Sequence, residues 1–314
     1  MKILFFTGKG GVGKSTMAAA AAWQLSQEYR VLIVSVDPAH NLGDIFGLTL
    51  NNGKRRFTGS LYLQEIDVQK LSKEYLQREI NVLSSTYRYL QALNLDNYFS
   101  VLKYSPGIEE YALLTGIEET IRNEGKFDYI IFDTPPTGLT LRFLALPRVT
   151  ITWVERLVQI RRKILEKRYT IHRIRGALSK DETVLSYDEG DDDILKRLRR
   201  LRENYQALNS ILQGESCAII LVFNPDILSL KESQRLIEGL NDLRLPLRLL
   251  IDNKVTEENK ETANHVEVNI RKLKDVPLER VSLSRALLDD RGGRLYDIPE
   301  DIISMLGEGL RKNV

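Results

Sequence analysis

The chain is short of several things that mark whole classes of protein. It has one cysteine, Cys217, in 314 residues. That excludes an intrachain disulfide framework and fits a reducing compartment. Formal net charge is only +2, so nothing in the bulk balance argues for nucleic acid or an acidic membrane surface as partner. Apolar runs such as Ala218–Phe223 are far too short to cross a hydrocarbon layer of about 30 Å, and no integral membrane segment is expected. A strand entered by the third residue leaves no room for a signal peptide. The expected setting is cytoplasmic. Low-complexity tails and internal repeats are also missing. What remains is 43% apolar residues, ample for a real core.

Strand-length apolar runs alternate with helix-period segments. Strands are predicted at Ile3–Phe6, Val31–Ser35, Leu61–Ile66, Tyr129–Phe132, Ala218–Phe223 and Leu247–Ile251. Several are flat apolar runs, as a parallel sheet covered on both faces requires. Helices are predicted at 14–28, 69–93, 107–123, 229–240, 256–273 and 299–312. The alternation predicts an α/β fold, a doubly wound, mostly parallel sheet. Between 148 and 214 no strand is evident. Val154, Leu157, Val158, Arg161, Ile164 and Leu165 follow helical spacing, as do Leu195, Leu198, Leu201, Tyr205, Leu208 and Leu212. This region predicts a helical insertion, a hairpin with Asp188–Asp193 as a mobile linker. The domain division is then 1–147 with 215–314 as core and 148–214 as insertion. Leu157, Val158, Ile160, Ile164 and Leu165 read either as the hairpin's own core or as an apolar groove.

Gly8–Thr16, Gly-Lys-Gly-Gly-Val-Gly-Lys-Ser-Thr, carries the most information. It sits between a strand and an Ala-rich helix, the context of a working phosphate loop. Gly10, Gly11, Val12 and Gly13 let successive N–H groups turn on one anion. The helix N-terminus at Lys14, Ser15 and Thr16 adds unpaired donors and a favourable dipole. Lys14 is placed to reach β/γ-phosphates, and the Ser15 hydroxyl to hold Mg²⁺. The segment Asp37-Pro-Ala-His-Asn-Leu-Gly-Asp44 follows a strand at the carboxyl edge, where open sheets bind ligands. Asp37 is the candidate to position an attacking water. Asp44 reads as its supporting partner or as a helix N-cap for 45–48. Asp133, at the head of Asp133-Thr-Pro-Pro-Thr-Gly-Leu-Thr140, ends another strand and is the candidate Mg²⁺ partner, through a water.

Together these stretches resemble the arsenite-pump ATPase family, which includes the ATPase that targets tail-anchored membrane proteins. The likeness extends to Pro106–Glu109, Phe223–Leu230, Asp252–Lys254 and Val276–Leu278, and so covers most of the chain. The resemblance implies a Mg²⁺-dependent ATPase working as a homodimer. Lys9 matches the family's additional lysine, which reaches the partner subunit's nucleotide. Lys14 and Asp37 match catalytic positions, and Ser15 and Asp133 the magnesium site. Asn41, Asp226, Asn253 and Pro277 match nucleotide-binding positions, with Asn253 reading adenine and Pro277 lining the base pocket. The implied client is an apolar helix such as that of a membrane protein.

Departures from the family pattern bear on cargo. The Cys-x-x-Cys pair that joins subunits through zinc is absent, and zinc is not expected; His265 and Glu267 read as surface residues. The arsenite-binding cysteines are missing, which argues against a metalloid efflux pump. The three methionines, Met1, Met17 and Met305, lie outside the helical region. The phosphate loop alone also fits a partition or septum-positioning ATPase, against which stand Asp37–His40 and the insertion. An iron–sulfur reductase needs two cysteines per subunit.

Overall fold

A computed structural model describes residues 1–39, 41–86, 105–175, 188–283 and 294–306. The chain divides into two compact units, 1–144 with 213–314 and 145–212.

In the larger unit, eight strands among the described residues form one sheet. They are β1 Lys2–Thr7, β2 Val31–Ser35, β3 Arg55–Thr58, β4 Leu61–Glu65, β5 Tyr129–Asp133, β6 Cys217–Phe223, β7 Leu247–Val255 and β8 Leu278–Ser282. Their order is β3-β4-β2-β5-β1-β6-β7-β8. Only β3 pairs antiparallel, with β4; the other neighbours are parallel. From β1 the chain crosses to β2 on one side, and after β5 it builds β6, β7 and β8 on the other. The carboxyl end of β1 therefore lies where the loops diverge, the position at which such sheets open a ligand crevice.

The central strands formed as expected because they are apolar on both faces. Every residue of β2, β5 and β6 is buried. The two strands outside the sequence expectation are edges. β3 reads Arg-Arg-Phe-Thr and β8 Leu-Glu-Arg-Val-Ser; edge strands carry charge and give no flat apolar signal.

Helices α1 Lys14–Leu25, α2 Asn41–Phe46, α3 Val68–Thr86, α4 Ile108–Asn123, α7 Ile227–Asp242 and α8 Lys260–Leu273 also belong to this unit. Ala18–Ala22 of α1 are wholly buried. Five methyl-sized side chains let that helix lie close on the sheet, against Leu4, Phe6, Ile131 and Ile220. Ser26–Glu28 form a turn, so α1 is shorter than predicted. The expected helix 69–93 is present as far as Thr86, and 87–93 lie outside the described residues.

Two expectations are corrected here. The helix expected at 299–312 is not formed over its described part, which holds only a short 3₁₀ turn, Ser304–Leu306; residues 307–312 lie outside the described residues. Asp301 Oδ1 accepts from both Ile303 N and Ser304 N, a local bonding pattern that competes with helix. The helix expected from 256 begins at Lys260, because the Asn259 side chain ties Thr256 N and Lys254 O into a turn.

The smaller unit is a helical hairpin. Helix α5, Thr137–Arg175, enters it from the larger unit, and α6, Asp193–Gln213, follows. Pro147 lies within α5 and removes one hydrogen bond from its ladder. Val154, Val158 and Leu165 pack on Leu195 and Leu198. Arg161 makes a paired contact with Asp192, Nε–Oδ1 3.0 Å and Nη2–Oδ2 2.5 Å. Asp192 Oδ1 also caps Leu195 N at 2.7 Å. Asp188–Asp193 is thus no plain linker: Asp192 is buried, and Glu189 holds Arg162 and Arg199. The candidate groove residues divide. Val158 and Leu165 are core, whereas Leu157, Ile160 and Ile164 are exposed.

Candidate nucleotide site

The loop 8–13 joins β1 to α1. Gly13 ends it with φ 94, a left-handed conformation that a side chain resists. A Cβ there would stand 2.3 Å from the Asn253 amide nitrogen, so glycine is required on two counts. The N-terminus of α1 has no side-chain cap; its first N–H groups are left for another acceptor.

The carboxyl ends of four further parallel strands bring the other side chains to this loop. Lys14 is buried, with Nζ 3.3 Å from Lys9 O and 3.9 Å from Asp37 Oδ2. Asp37, two residues past β2, is buried too, and its Oδ1 accepts from Ala39 N at 3.0 Å. That turn holds the second oxygen toward the lysine. Asp133 closes β5, in register with Phe6 of β1 and Ser35 of β2. Ser35 Oγ donates to its Oδ2 at 3.3 Å. Burial pushes the Asp133 carboxyl up to about 6 against the opposing effects of the Ser15 hydroxyl and the Lys14 charge; Asp37's charge adds to the rise. Its Oδ1 is buried with no hydrogen-bond partner. An anionic oxygen left unmatched beside a serine hydroxyl is the donor set that Mg²⁺ or its water takes up. Ser15 and Asp133 therefore fit a magnesium ion.

Asp133 is followed by a pinned loop. Thr134 Oγ1 donates to Phe6 O at 2.8 Å, and Thr140 Oγ1 to Pro135 O at 2.7 Å. On the opposite flank, Asp226 caps α7 through Ser229 N at 2.7 Å and lies 3.9 Å from Lys9 Nζ. Both side chains are partly exposed, at the rim of the loop. Asn253, near the end of β7, donates from Nδ2 to Val12 O at 2.8 Å. Beside it a cavity of about 440 Å³ opens, lined by Gly13, Thr16, Met17, Asn253, Val281 and Pro299 among others.

Some expected site residues sit elsewhere. Pro277 precedes β8 and accepts from Leu250 N, whereas Asn253 faces Val281. Four residues of strand separate Pro277 from Val281, about 13 Å. The cavity is lined by Val281, Ser282 and Leu283 in its place. Asp44 lies inside α2 and caps nothing, since the helix begins at Asn41. Asn41 is exposed at that first turn, and His40 is outside the described residues. Glu267 is buried and gripped by Arg280, while His265 on the same helix is exposed; the two do not form a ligand pair. Cys217 is a buried strand residue whose thiol burial pushes up to about 12.

Other side chains at the site escaped the sequence reading. Glu65 of β4 accepts from Gly43 N at 2.8 Å and ties α2 to the sheet. Ser35 braces Asp133. Lys254 reaches the phosphate loop with Nζ 2.7 Å from Gly11 O. A polar residue at the end of an apolar strand was the available signal for each.

The family described as anion-transporting ATPase matches residues 1–282. An Aquifex aeolicus protein named "Putative arsenical pump-driving ATPase 2" is 33% identical over 261 residues, 82% of either chain. A second Aquifex protein of that name, numbered 1, is 31% identical over 277 residues, 82% of this chain and 66% of its own length. "ATPase get3" of Schizosaccharomyces pombe is 28% identical over 263 residues, 81% of this chain and 74% of its own. The chain thus spans less than two thirds of one of these three relatives.

Proposed function

The chain belongs to the anion-transporting ATPase family, and from that premise we propose that it is a Mg²⁺-dependent ATPase, working as a homodimer that holds and releases an apolar helical client. The observation that carries the enzymatic part is the convergence of Lys14, Asp37 and Asp133 on one phosphate loop. Gly10–Thr16 cradle the phosphates through N–H groups, and Lys14 neutralises the β/γ-oxygens. Mg²⁺, when bound at Ser15 and Asp133, offsets the charge of the leaving phosphate oxygens. Asp37 accepts a proton from, and orients, the attacking water. The base enters the cavity beside Asn253, whose amide keeps one N–H and one lone pair after its bonds to Val12 O and Lys254 N.

Lys9 differs from Lys14 in place. It stands at the loop's rim beside Asp226, suited to reach outward to a second subunit's nucleotide. A second cation there stabilises charge in the transition state. The client reading rests on α5. Trp153, Leu157, Ile160, Ile164, Ile171 and Ile174 recur at three- and four-residue steps or their sum, and all are exposed, Trp153 by 66% and Ile174 by 78%. Such a stripe is the usual mark of a contact surface.

The arsenical names of two relatives favour a second reading, an ATPase subunit that drives a metalloid efflux pump. A thiolate trap would serve it, and the single cysteine here is buried and protonated.

Asp37→Asn tests the enzymatic core. ATP affinity should stay within a few-fold of wild type while turnover falls by roughly 10²–10⁴. Wild-type turnover in that variant would overturn the assignment of Asp37. Lys9→Ala should reduce turnover together with ATP-dependent dimerisation; unchanged values for both would remove the trans role of Lys9.

A further inference from the structure

Strand β7 does not end regularly. Its register with β8 slips between Asn253 and Val255, and Lys254 between them has φ 63. A left-handed lysine is uncommon and strained, so it persists only where its surroundings hold it. Here they do. Asn253 Oδ1 accepts from Lys254 N at 2.9 Å, and Asn259 Nδ2 donates to Lys254 O at 2.9 Å. A bulge of this kind re-aims a side chain, and this one sends the ammonium to Gly11 O, 2.7 Å away.

The target of that bond explains its use. An anion-binding loop works only while its N–H groups face the anion; a flipped peptide presents its carbonyl oxygen to the phosphate. Gly11 is the least hindered glycine of the loop. It has φ 79, and nothing stands within 4 Å of where a Cβ would be. Lacking a Cβ, a glycine at such a φ adopts more than one backbone conformation at little cost, so the peptide that follows it needs a restraint. The next carbonyl, Val12 O, is already held by Asn253. We propose that Lys254 is a positioning residue of the nucleotide site, fixing the Gly11 carbonyl outward so that the loop stays in its phosphate-ready form.

The inference rests on the reading of this loop as a nucleotide site, and the wild type tests that reading by itself: it must bind ATP and ADP. Titration calorimetry with ATP and with ADP then compares wild type, Lys254→Ala and Lys254→Arg. A tether of the loop predicts that Lys254→Ala weakens both nucleotides by the same factor, about tenfold for one charge-assisted bond. Steady-state kinetics should show KM raised by that factor with kcat within twofold. Lys254→Arg, which can still donate to Gly11 O, should recover most of the affinity. Wild-type KM in Lys254→Ala would overturn the proposal. So would a loss confined to ATP, which would make Lys254 a direct γ-phosphate ligand, or an Arg variant no better than Ala.

Discussion

Gly13 and Asp252 lie at opposite faces of β7's carboxyl end and give two residue-scale predictions. Gly13→Ala places a methyl group into the Asn253 amide and strains a left-handed backbone. Loss of at least 1–3 kcal/mol follows from the backbone alone, together with loss of ATP binding, both measurable by urea unfolding with and without ATP. Asp252 is fully buried, and its carboxyl meets that of Glu267, with which it shares a hydrogen bond when it is protonated. Burial, with the Glu267 carboxylate beside it, pushes its carboxyl from 3.8 up to about 8, and Arg280 only partly opposes this. The folded chain thus keeps a proton that the unfolded chain releases near pH 4. Between those values stability falls as pH rises, and it levels off above about 8. Asp252→Asn should flatten that slope and raise the melting temperature more at pH 8 than at pH 5. A slope unchanged by the substitution would assign the titration to another group. Phosphate-loop residues were legible in the sequence because glycine and lysine spacing is itself the chemistry. Asp252 was not: its unusual state comes from burial in the assembled fold and then from Glu267, fifteen positions away on another element.

At the scale of elements, the sheet's interior was readable and its margins were not. β2, β5 and β6 announce themselves by unbroken apolar runs, whereas β3 and β8 are charged edges that only their neighbours define. That Pro277 lies outside the cavity beside Asn253 has a related reason. Without β8 in view, nothing fixed which end of that segment meets Asn253. Within the hairpin, helical spacing gave the helices but not the division of their apolar residues, since α5 carries two adjacent stripes and only α6 decides which is covered. The covered stripe holds one ion pair. Arg161→Ala would leave Asp192 buried without its partner, a loss of about 3–5 kcal/mol, seen as a lower urea midpoint. Because Arg161 holds the Asp192 carboxyl below its ordinary value, that contribution is present above pH 4 and fades as pH drops through the lowered value. The uncovered stripe has its own reporter in Trp153. Adding a synthetic apolar helical peptide should shift its emission to the blue, and Ile160→Asp with Ile164→Asp should abolish the shift. No shift in the native protein would remove the client reading from this face.

Across the whole molecule, the site is assembled from distant parts of the sequence. The bonds from Asn253 to Val12 and from Lys254 to Gly11 span 241 and 243 positions. Gln24 of α1 likewise donates to Glu300 O, 276 positions on. Contacts of such separation close late in folding. During synthesis the phosphate loop is made more than two hundred residues before the strand that carries its two carbonyl restraints. A chain released early has the glycines and Lys14 but not the strand that sets them. If the loop is a nucleotide site, ATP binding should require that β7 has docked, and binding in turn should favour the docked state by mass action. A fragment ending at residue 246 should accordingly fail to retain ATP.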